Sequence, residues 1–263
     1  MTRWLLLGIL VFGAASPAVA QRLSVGVGAA NLRATTLGTP AGELVEIPRF
    51  QSQELGVDVA IVVTDRLTAL GSLAVHRRAS LDQFGRASGV GDARIGMNMK
   101  LAQPGGWLMA VRAVVQAPTG DPAKGGAILP TGTGAWEGEG VFSVARVLVG
   151  GRLAAALELG HHLRGKELRD GGLYGGRISL RATDRVTLAW AARGLQVYQR
   201  RPGLASIASA SGLGDGVSYT SFGPSASIGV ARGLSLDLGV YQSVHVRNRV
   251  KGVDLGVGVT FVR

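Results

Sequence analysis

Apolar side chains alternate with small or polar ones at every second residue along most of this sequence, and this alternation restricts the possible folds more than any other pattern in it. Residues 53–63 carry apolar side chains on one face of an extended strand and Glu54 and Asp58 on the other. Residues 252–263 repeat the pattern, with Gly and Asp254 opposite an apolar row. A helix would require apolar residues about every 3.6 positions, and no segment after the first twenty residues shows that period cleanly. The alternation therefore predicts an all-β chain.

About twelve such segments follow the N-terminal region, and the connections between them alternate in length. The short connections lie at residues 64–66, 103–106, 150–151, 184 and 231–233. The long connections lie near residues 32–52, 78–90, 118–138, 164–172 and 199–216. Short turns at one end of the strands and long loops at the other are typical of outer-membrane barrels. We therefore predict a transmembrane antiparallel up-and-down β-barrel of about twelve strands, with short periplasmic turns and long extracellular loops.

A soluble β-sandwich is the alternative fold, because its strands also alternate buried and exposed side chains. Two features favour the barrel. The polar face is sparse, since only 17% of the 263 residues are charged and 41 are Gly. The other face stays apolar in strand after strand, as a lipid-facing surface requires. Closure of the sheet would then give every backbone group a partner within the membrane.

The N-terminal residues have the organisation of a secretory signal peptide. A basic start precedes an apolar stretch over residues 4–12, and Ala18 and Ala20 form a small-residue cleavage site. We therefore predict a signal peptide over residues 1–20 and a single outer-membrane barrel domain over residues 21–263. The predicted location is the cell outer membrane.

The composition excludes several kinds of functional site. The chain has no Cys, so it can form no disulfide, thiol nucleophile or Cys-ligated metal centre. His161 and His162 are adjacent and would point to opposite faces of a strand, so they cannot bind one metal ion together. The net charge is +11, yet the arginines are scattered at strand spacing without interleaved aromatic residues. We therefore predict no metal, no cofactor, no nucleic-acid partner and no enzymatic activity.

The side chains opposite the apolar rows would line the lumen of a barrel. Basic residues outnumber acidic ones there, and a low-dielectric wall of one charge sign concentrates counter-ions. The predicted lumen-lining residues that set selectivity are Arg94, Asn98, Lys100, Arg112, Gln116, Arg146, Glu158, Arg177, Arg181, Arg193, Asp237 and His245. Barrels of about eight strands are filled by side chains and those of about sixteen are open. A narrow pore and a lumen plugged by ion pairs are therefore both compatible with the sequence.

The connection near residues 118–138 is rich in Pro and Gly, which form tight turns. It either folds inward as a constriction or ligand gate, or remains a solvated surface loop. Its candidate gate residues are Pro118, Thr119, Gly120, Asp121 and Trp136. The segment near residues 32–52 is similar in length and is a second candidate to cover the mouth.

Two motifs follow each other between residues 89 and 145. Residues 89–101 read Gly-Val-Gly-Asp-Ala-Arg-Ile-Gly-Met-Asn-Met-Lys-Leu, residues 117–121 read Ala-Pro-Thr-Gly-Asp, and residues 132–134 read Gly-Thr-Gly. This order resembles the outer-membrane barrels of the phenol-degradation meta-pathway family, which are loosely similar to long-chain fatty-acid transporters. In that family a Gly-x-Gly-Asp strand opening is followed by a strand that ends in Pro-Thr-Gly-Asp. The resemblance implies an outer-membrane barrel that passes small, often apolar compounds.

These observations predict a channel or transporter for the passive passage of small molecules, either anionic or aromatic and apolar. The alternatives are a closed structural or adhesion barrel with binding loops, and a barrel lipid hydrolase with His161 as its base. The expected partners are the solute, the outer-membrane assembly machinery, outer-membrane lipids and lipopolysaccharide. The cations in predicted long loops, which would face lipopolysaccharide phosphates, are Arg164, Lys166, Arg169, Arg200 and Arg201.

Overall fold

The structure is a computed structural model that describes residues 23–123, 129–165, 168–198 and 211–263. The predicted signal peptide lies outside the described residues. Two single-turn 3-10 helices, Pro104–Gly106 and Val149–Gly151, lie between antiparallel strands. In chain order the strands are β1 (Leu23–Gly38), β2 (Leu44–Val62), β3 (Leu67–Leu81), β4 (Gly85–Gly89), β5 (Ala93–Ala102), β6 (Trp107–Ala117), β7 (Glu137–Val147), β8 (Leu153–Arg164), β9 (Gly171–Arg181), β10 (Val186–Val197), β11 (Ser218–Ala231), β12 (Leu234–Arg247) and β13 (Arg249–Val262). No described helix is long and apolar enough to cross a membrane.

The strands close into a barrel because β1 pairs with β2 on one side and with β13 on the other. Strands β4 and β5 both pair with β3 and share one position in the wall, separated by residues 90–92. The structure is therefore a closed antiparallel barrel of 12 strands, as the alternation predicts. Closure gives each described strand of the wall a partner on both sides except β4, which pairs with β3 alone.

The short connections all lie at one end of the barrel, together with the first and last described residues. The backbone N–H of Arg263 donates to the carbonyl of Leu23 there, at 2.9 Å. Tight turns at this end use glycine in the left-handed region, as at Gly150 and Gly151, whose φ angles are 58° and 72°. We call this the short-turn end and the opposite one the long-loop end.

The outer face of the barrel is a belt of large apolar side chains. Ile95, Leu157 and Ile178 are 70%, 69% and 58% exposed although they occupy the middle parts of their strands. Contiguous exposed apolar surface of this kind is unstable in water, and it is the outward band of a transmembrane barrel. The row alternates with smaller or polar residues that point inward.

The wall is taller around β1, β2 and β3 than the alternation predicts. Long loops are expected near residues 32–52 and 78–90, but β1 and β2 continue for 16 and 19 residues and are joined by residues 39–43 alone. Strand β4 forms a second hairpin with the end of β3. Both expected loops are therefore largely strand.

Two apolar clusters inside the long-loop end explain these extensions. Phe50 is fully buried between the extended parts of β1 and β3, and Leu129 from the β6–β7 connection is 1% exposed against it. The first cluster comprises Leu32, Ala34, Leu37, Phe50, Ala79, Leu81, Ala87, Leu129 and Val250. The second comprises Leu195, Val217, Tyr219 and Val246, with Leu173 packed against them. Side chains therefore fill the lumen at this end, and their burial holds the hairpins in strand conformation.

The assignment of the outer face to lipid predicts a cost for a charge placed there. Leu157→Arg, at the middle of β8, is expected to lower the free energy of unfolding in lipid vesicles by about 2–4 kcal/mol. Ser225→Arg is the control, because Ser225 faces inward between Ala189 and Gly239 and should cost less than about 1 kcal/mol. Urea titration followed by tryptophan fluorescence measures both, and equal losses would contradict the assignment.

Candidate functional site

Most of the predicted lumen residues do lie on the inner face of the wall. Cross-strand pairs such as Asn98 with Arg112 and Arg94 with Gln116 share that face, opposite the exposed apolar row. The candidates on the inner face are Arg94, Asn98, Lys100, Arg112, Gln116, Glu158, Arg177, Arg181, Arg193 and Asp237. Their role in selectivity stays a prediction.

Arg146 lies on the outer face, so its assignment to the lumen is corrected. In β7 the inner positions are Val141, Ser143 and Ala145, and the register pairs Arg146 with Trp107. The guanidinium Cζ of Arg146 lies 5.0 Å from the centroid of the Trp107 ring, near the short-turn end. A cation–π contact at this level lets the guanidinium of Arg146 reach the headgroup region while its aliphatic stem lies along the apolar belt.

His245 also lies on the outer face, and a β-bulge is the reason. Thr220 pairs with His245 but the next residue of β11, Ser221, pairs with Ser243. The extra residue reverses the alternation, so Ser243 points inward and His245 outward. Strict counting along the strand cannot detect such an insertion.

A second bulge brings Arg77 into the lumen. Leu55 pairs with His76 and Gly56 with Ala74, so Val75 is the extra residue and Arg77 turns inward. Arg77 forms an ion pair with Glu54 in which both side chains are nearly buried, at 9% and 11% exposure. Its Nη1 also donates to the carbonyl of Thr131 at 2.9 Å. Simple alternation places Arg77 on the outer face, so the sequence does not predict its contacts with Glu54 and Thr131.

The charged side chains at mid-height are accessible. Arg112 Nη2 lies 3.5 Å from Glu158 Oε2 across the lumen-facing side of β6–β8, and the two side chains are 25% and 18% exposed. Arg94 donates to Gln116. Toward the short-turn end the inner positions are small, including Ser24, Ala60, Ser225, Gly256 and Gly258. The inner side chains are therefore smaller and more accessible to solvent in this half, which we call the hydrated half, than at the long-loop end.

Asp92 organises the loop that joins β6 and β7, residues 118–136, which we call the β6–β7 loop. Its Oδ1 accepts from the backbone N–H of Gly120 at 3.0 Å. Its Oδ2 accepts from the N–H of Thr133 at 2.9 Å and from Nε2 of Gln116 at 3.0 Å. Asp92 is 7% exposed. One buried carboxylate therefore ties both ends of the β6–β7 loop to the wall.

Two threonines complete this attachment. Thr119 Oγ1 donates to the carbonyl of Gly91 and accepts from the N–H of Ala93, both at 2.8 Å. Thr131 Oγ1 accepts from the N–H of Asp121 at 3.0 Å. The residues that carry the family resemblance thus form a single hydrogen-bonded unit.

A close backbone contact in this unit requires glycine. A Cβ at Gly132 would lie 2.3 Å from Asp92 Oδ1 and 2.6 Å from the Cα of Gly120, so no larger residue fits. Asp92 was not among the predicted site residues, although the Gly-x-Gly-Asp motif that contains it was the available signal.

The described part of the β6–β7 loop lies in the mouth of the barrel rather than on the surface. Leu129, Thr131 and Ala135 are at most 2% exposed. Of the gate candidates, Thr119, Gly120 and Asp121 belong to the attachment, and Pro118 precedes it at the end of β6. Trp136 is 62% exposed and takes no part in the attachment. Of the two alternatives for this loop, the structure favours inward folding.

The loop cations expected to face lipopolysaccharide are engaged inside the protein where the structure describes them. Arg164 Nε donates to Glu137 at 2.9 Å, and its Nη1 donates to the carbonyl of Gly214 at 2.9 Å. Arg169 Nε donates to Asp215 at 2.8 Å. These contacts hold residues 211–217 against the mouth. Lys166, Arg200 and Arg201 lie outside the described residues.

The arrangement around His161 does not resemble a hydrolase site. His161 points outward, and its ring stacks on Tyr198, with Nδ1 3.0 Å from the phenol oxygen. Within the described ranges, the structure shows no serine hydrogen-bonded to a histidine. The described residues also contain no group of His, Asp and Glu that could hold a metal ion.

Comparison with solved structures shows the same fold in outer-membrane proteins. An outer membrane channel from Pseudomonas putida F1 superposes with a TM-score of 0.68 at 16% identity, covering 95% of this chain and all of that one. The NanC porin has a TM-score of 0.55 at 9% identity, covering 91% and 98% of the two chains. LpxR from Salmonella typhimurium has a TM-score of 0.51 at 8% identity, covering 90% and 99%. No curated protein matches the chain in sequence.

The family comparison agrees with the motifs of residues 89–134. The sequence model of a family that is described as the MetA-pathway of phenol degradation matches residues 12–257, nearly the whole chain. The match includes every part of the Asp92 attachment. The chain is therefore a member of the MetA-pathway of phenol degradation family, with the closed barrel fold of outer-membrane proteins.

Proposed function

We propose that this protein is an outer-membrane channel through which small molecules pass passively. The observation that carries the proposal is the lumen itself: in the half near the short turns, partly exposed charged side chains stand among small residues. A barrel with a purely structural role has no need for charged groups that remain accessible to water inside it. The fold shared with an outer membrane channel and a porin supports the same role.

The charge of the accessible lumen favours anions. The inner face in and below the middle of the barrel carries more basic than acidic groups. The basic ones are Arg94, Lys100, Arg112, Arg177 and Arg181, and the acidic ones are Asp58, Glu158 and Asp237. An excess of positive charge on a low-dielectric wall raises the local concentration of anions. Anionic solutes are thus the class that the lumen would admit most readily.

The β6–β7 loop is the proposed constriction. Its described part lies in the mouth together with the two apolar clusters, and Arg77 and Asp92 connect it to the wall. Solutes entering from outside would have to pass between this loop and the opposite wall. We place the protein in the outer membrane, with lipids around the apolar belt and with the assembly machinery as its expected insertion partner.

Conductance across a planar bilayer with a KCl gradient tests the channel and its selectivity. The refolded protein should show discrete current steps with an anion-selective reversal potential. Replacing Arg94, Arg112 and Arg181 together by Gln should reduce the anion-to-cation permeability ratio by roughly tenfold, because it removes the field that concentrates anions.

The matched control replaces Arg33, Arg78 and Arg146 by Gln, since these three arginines are exposed on the outer face. That variant has the same net charge but should keep the native selectivity. A correctly folded barrel that conducts no current would contradict the channel. It would favour the second candidate, a closed barrel with binding loops, for which the filled long-loop end is the supporting observation.

A further inference from the structure

A group of two arginines, one aspartate and two tyrosines lies on the inner face of β10–β13, away from the Asp92 attachment. Arg193 and Arg249 both lie near the carboxylate of Asp254, which is 8% exposed. The Cζ of Arg193 is 5.5 Å from the ring centroid of Tyr241, and that of Arg249 is 4.1 Å from the ring of Tyr219. We call these five residues the arginine pair site.

Small residues between the strands allow the two arginines to reach their rings. Arg193 on β10 must cross β11 to reach Tyr241 on β12, and its inner neighbours on β11 are Ser221 and the adjacent Gly223. Arg249 follows the tight turn at Asn248, whose φ is 52°, and begins β13 opposite Gly38 of β1. Cation–π contacts then fix the planes of both guanidinium groups.

The hydrogen bonding of this site is incomplete. Arg249 is 3% exposed, and its Nε and Nη1 have no hydrogen-bond partner in the described part of the chain. Oδ1 of Asp254 is likewise without a partner there. A buried guanidinium with free donors is costly, and such groups normally bind an oxyanion or ordered water. Two of the three guanidinium nitrogens of Arg249, Nε and Nη1, therefore carry N–H groups without a partner in the described part of the chain.

The charge of the site indicates the kind of anion. Two guanidinium groups and one carboxylate leave a single excess positive charge. A monoanion would neutralise it, whereas a doubly charged phosphate would leave net negative charge beside Asp254. A carboxylate also matches the planar fork of an arginine in shape.

Arg193 and Tyr241 form the side of the site that the lumen reaches, because Arg249, Asp254 and Tyr219 are at most 8% exposed. Arg193 and Tyr241 are only partly buried. The inner positions that lead to them from the short-turn end are small, among them Ala191, Ser225 and Gly239. The arginine pair site thus lies at the boundary between the hydrated half and the filled mouth.

We propose that the arginine pair site binds the carboxylate of a small monocarboxylic acid on its way through the channel. The proposal rests on the proposed channel function for its biological meaning, and it names the solute class that the channel would carry. Binding itself is independent of conduction, so the two can be tested separately.

Isothermal titration of sodium benzoate into the full-length protein folded in detergent tests the site. The native protein should bind benzoate, and Arg249→Met should weaken the affinity by at least about tenfold, because a positive charge and its charge-assisted hydrogen bonding are lost. Arg146→Met is the matched control, since Arg146 also stacks on an aromatic ring but lies on the outer face. It should bind benzoate as the native protein does.

Two further variants keep the test decisive if Arg249→Met does not fold. Arg193→Lys retains the charge but loses the planar fork, and it should weaken benzoate binding several-fold. Asp254→Asn removes the competing carboxylate, so it should strengthen binding, a result that a merely structural role would not produce. Heat-modifiability on gels reports the folding of each variant.

Three outcomes would overturn the proposal: no benzoate binding by the folded native protein, equal losses in Arg249→Met and Arg146→Met, or tighter binding of phosphate or uncharged benzyl alcohol than of benzoate. Conductance separates this failure from that of the channel. If the barrel conducts current but does not bind benzoate, the channel proposal stands and the proposed binding site is wrong. If the barrel conducts no current but its benzoate affinity depends on Arg249, the binding site stands and the channel proposal is wrong.

Discussion

Replacing Asp92 with Ala is expected to release the β6–β7 loop from the mouth while the barrel stays folded. The change leaves the N–H groups of Gly120 and Thr133 without their acceptor, and it leaves Gln116 Nε2 with only its 3.3 Å hydrogen bond to Thr133 Oγ1. Each buried donor that loses its partner costs about 1–3 kcal/mol, so the docked position of the loop loses several kcal/mol. We expect rapid proteinase K cleavage between β6 and β7 and a several-fold larger single-channel conductance.

Asp121→Ala is the control for this prediction. Asp121 lies in the same loop, but among the described residues its carboxylate accepts only from the N–H of Ala123, at an exposed position. This variant should remain resistant to proteinase K and should conduct like the native protein. If Asp121→Ala released the loop as readily as Asp92→Ala, the carboxylate of Asp92 would not be the attachment point.

Replacing Glu137 with Gln should produce the largest loss of stability among charge-removing substitutions in the lumen. Glu137 Oε1 accepts from Arg164 Nε at 2.9 Å, and Oε2 lies 3.1 Å from Nε2 of His162. The three side chains are at most 5% exposed. Removing the carboxylate charge leaves a buried guanidinium uncompensated, which typically costs about 3–5 kcal/mol. Urea unfolding in lipid vesicles measures the loss.

Glu158→Gln provides the comparison, because Glu158 also pairs with an arginine inside the barrel. Its side chain is 18% exposed and lies 3.5 Å from Arg112, so water already screens the pair. We expect a loss below about 1 kcal/mol. Similar losses in the two variants would show that water penetrates the long-loop end as freely as the middle of the lumen.

The face of most lumen residues could be predicted because neighbouring side chains on a strand point in opposite directions. That rule places Arg94, Arg112 and Glu158 correctly from local sequence alone. It places Arg146 and His245 wrongly for two different reasons. In β7 the inward residues, such as Ser143, are small, so the sequence does not show which alternate positions face the lumen. In β12 a bulge exchanges the inward and outward positions.

The buried groups at the long-loop end could not be predicted from spacing. Asp92, Gln116 and Thr133 meet only when the loop after β6 folds back onto the start of β5. Phe50 and Leu129 lie in predicted loops, yet they are the centre of an apolar cluster. Contacts between residues so distant in the chain leave no periodic pattern in the sequence.

Local sequence is enough to predict the strand class, the apolar outer belt and the order of short turns and long loops, because each depends on side-chain alternation over about ten residues. Local sequence does not predict how far the strands extend, where bulges exchange inward and outward side chains, or which loop enters the mouth. Those features depend on burial and hydrogen bonds between distant segments. Their free energy becomes available only when the barrel has closed.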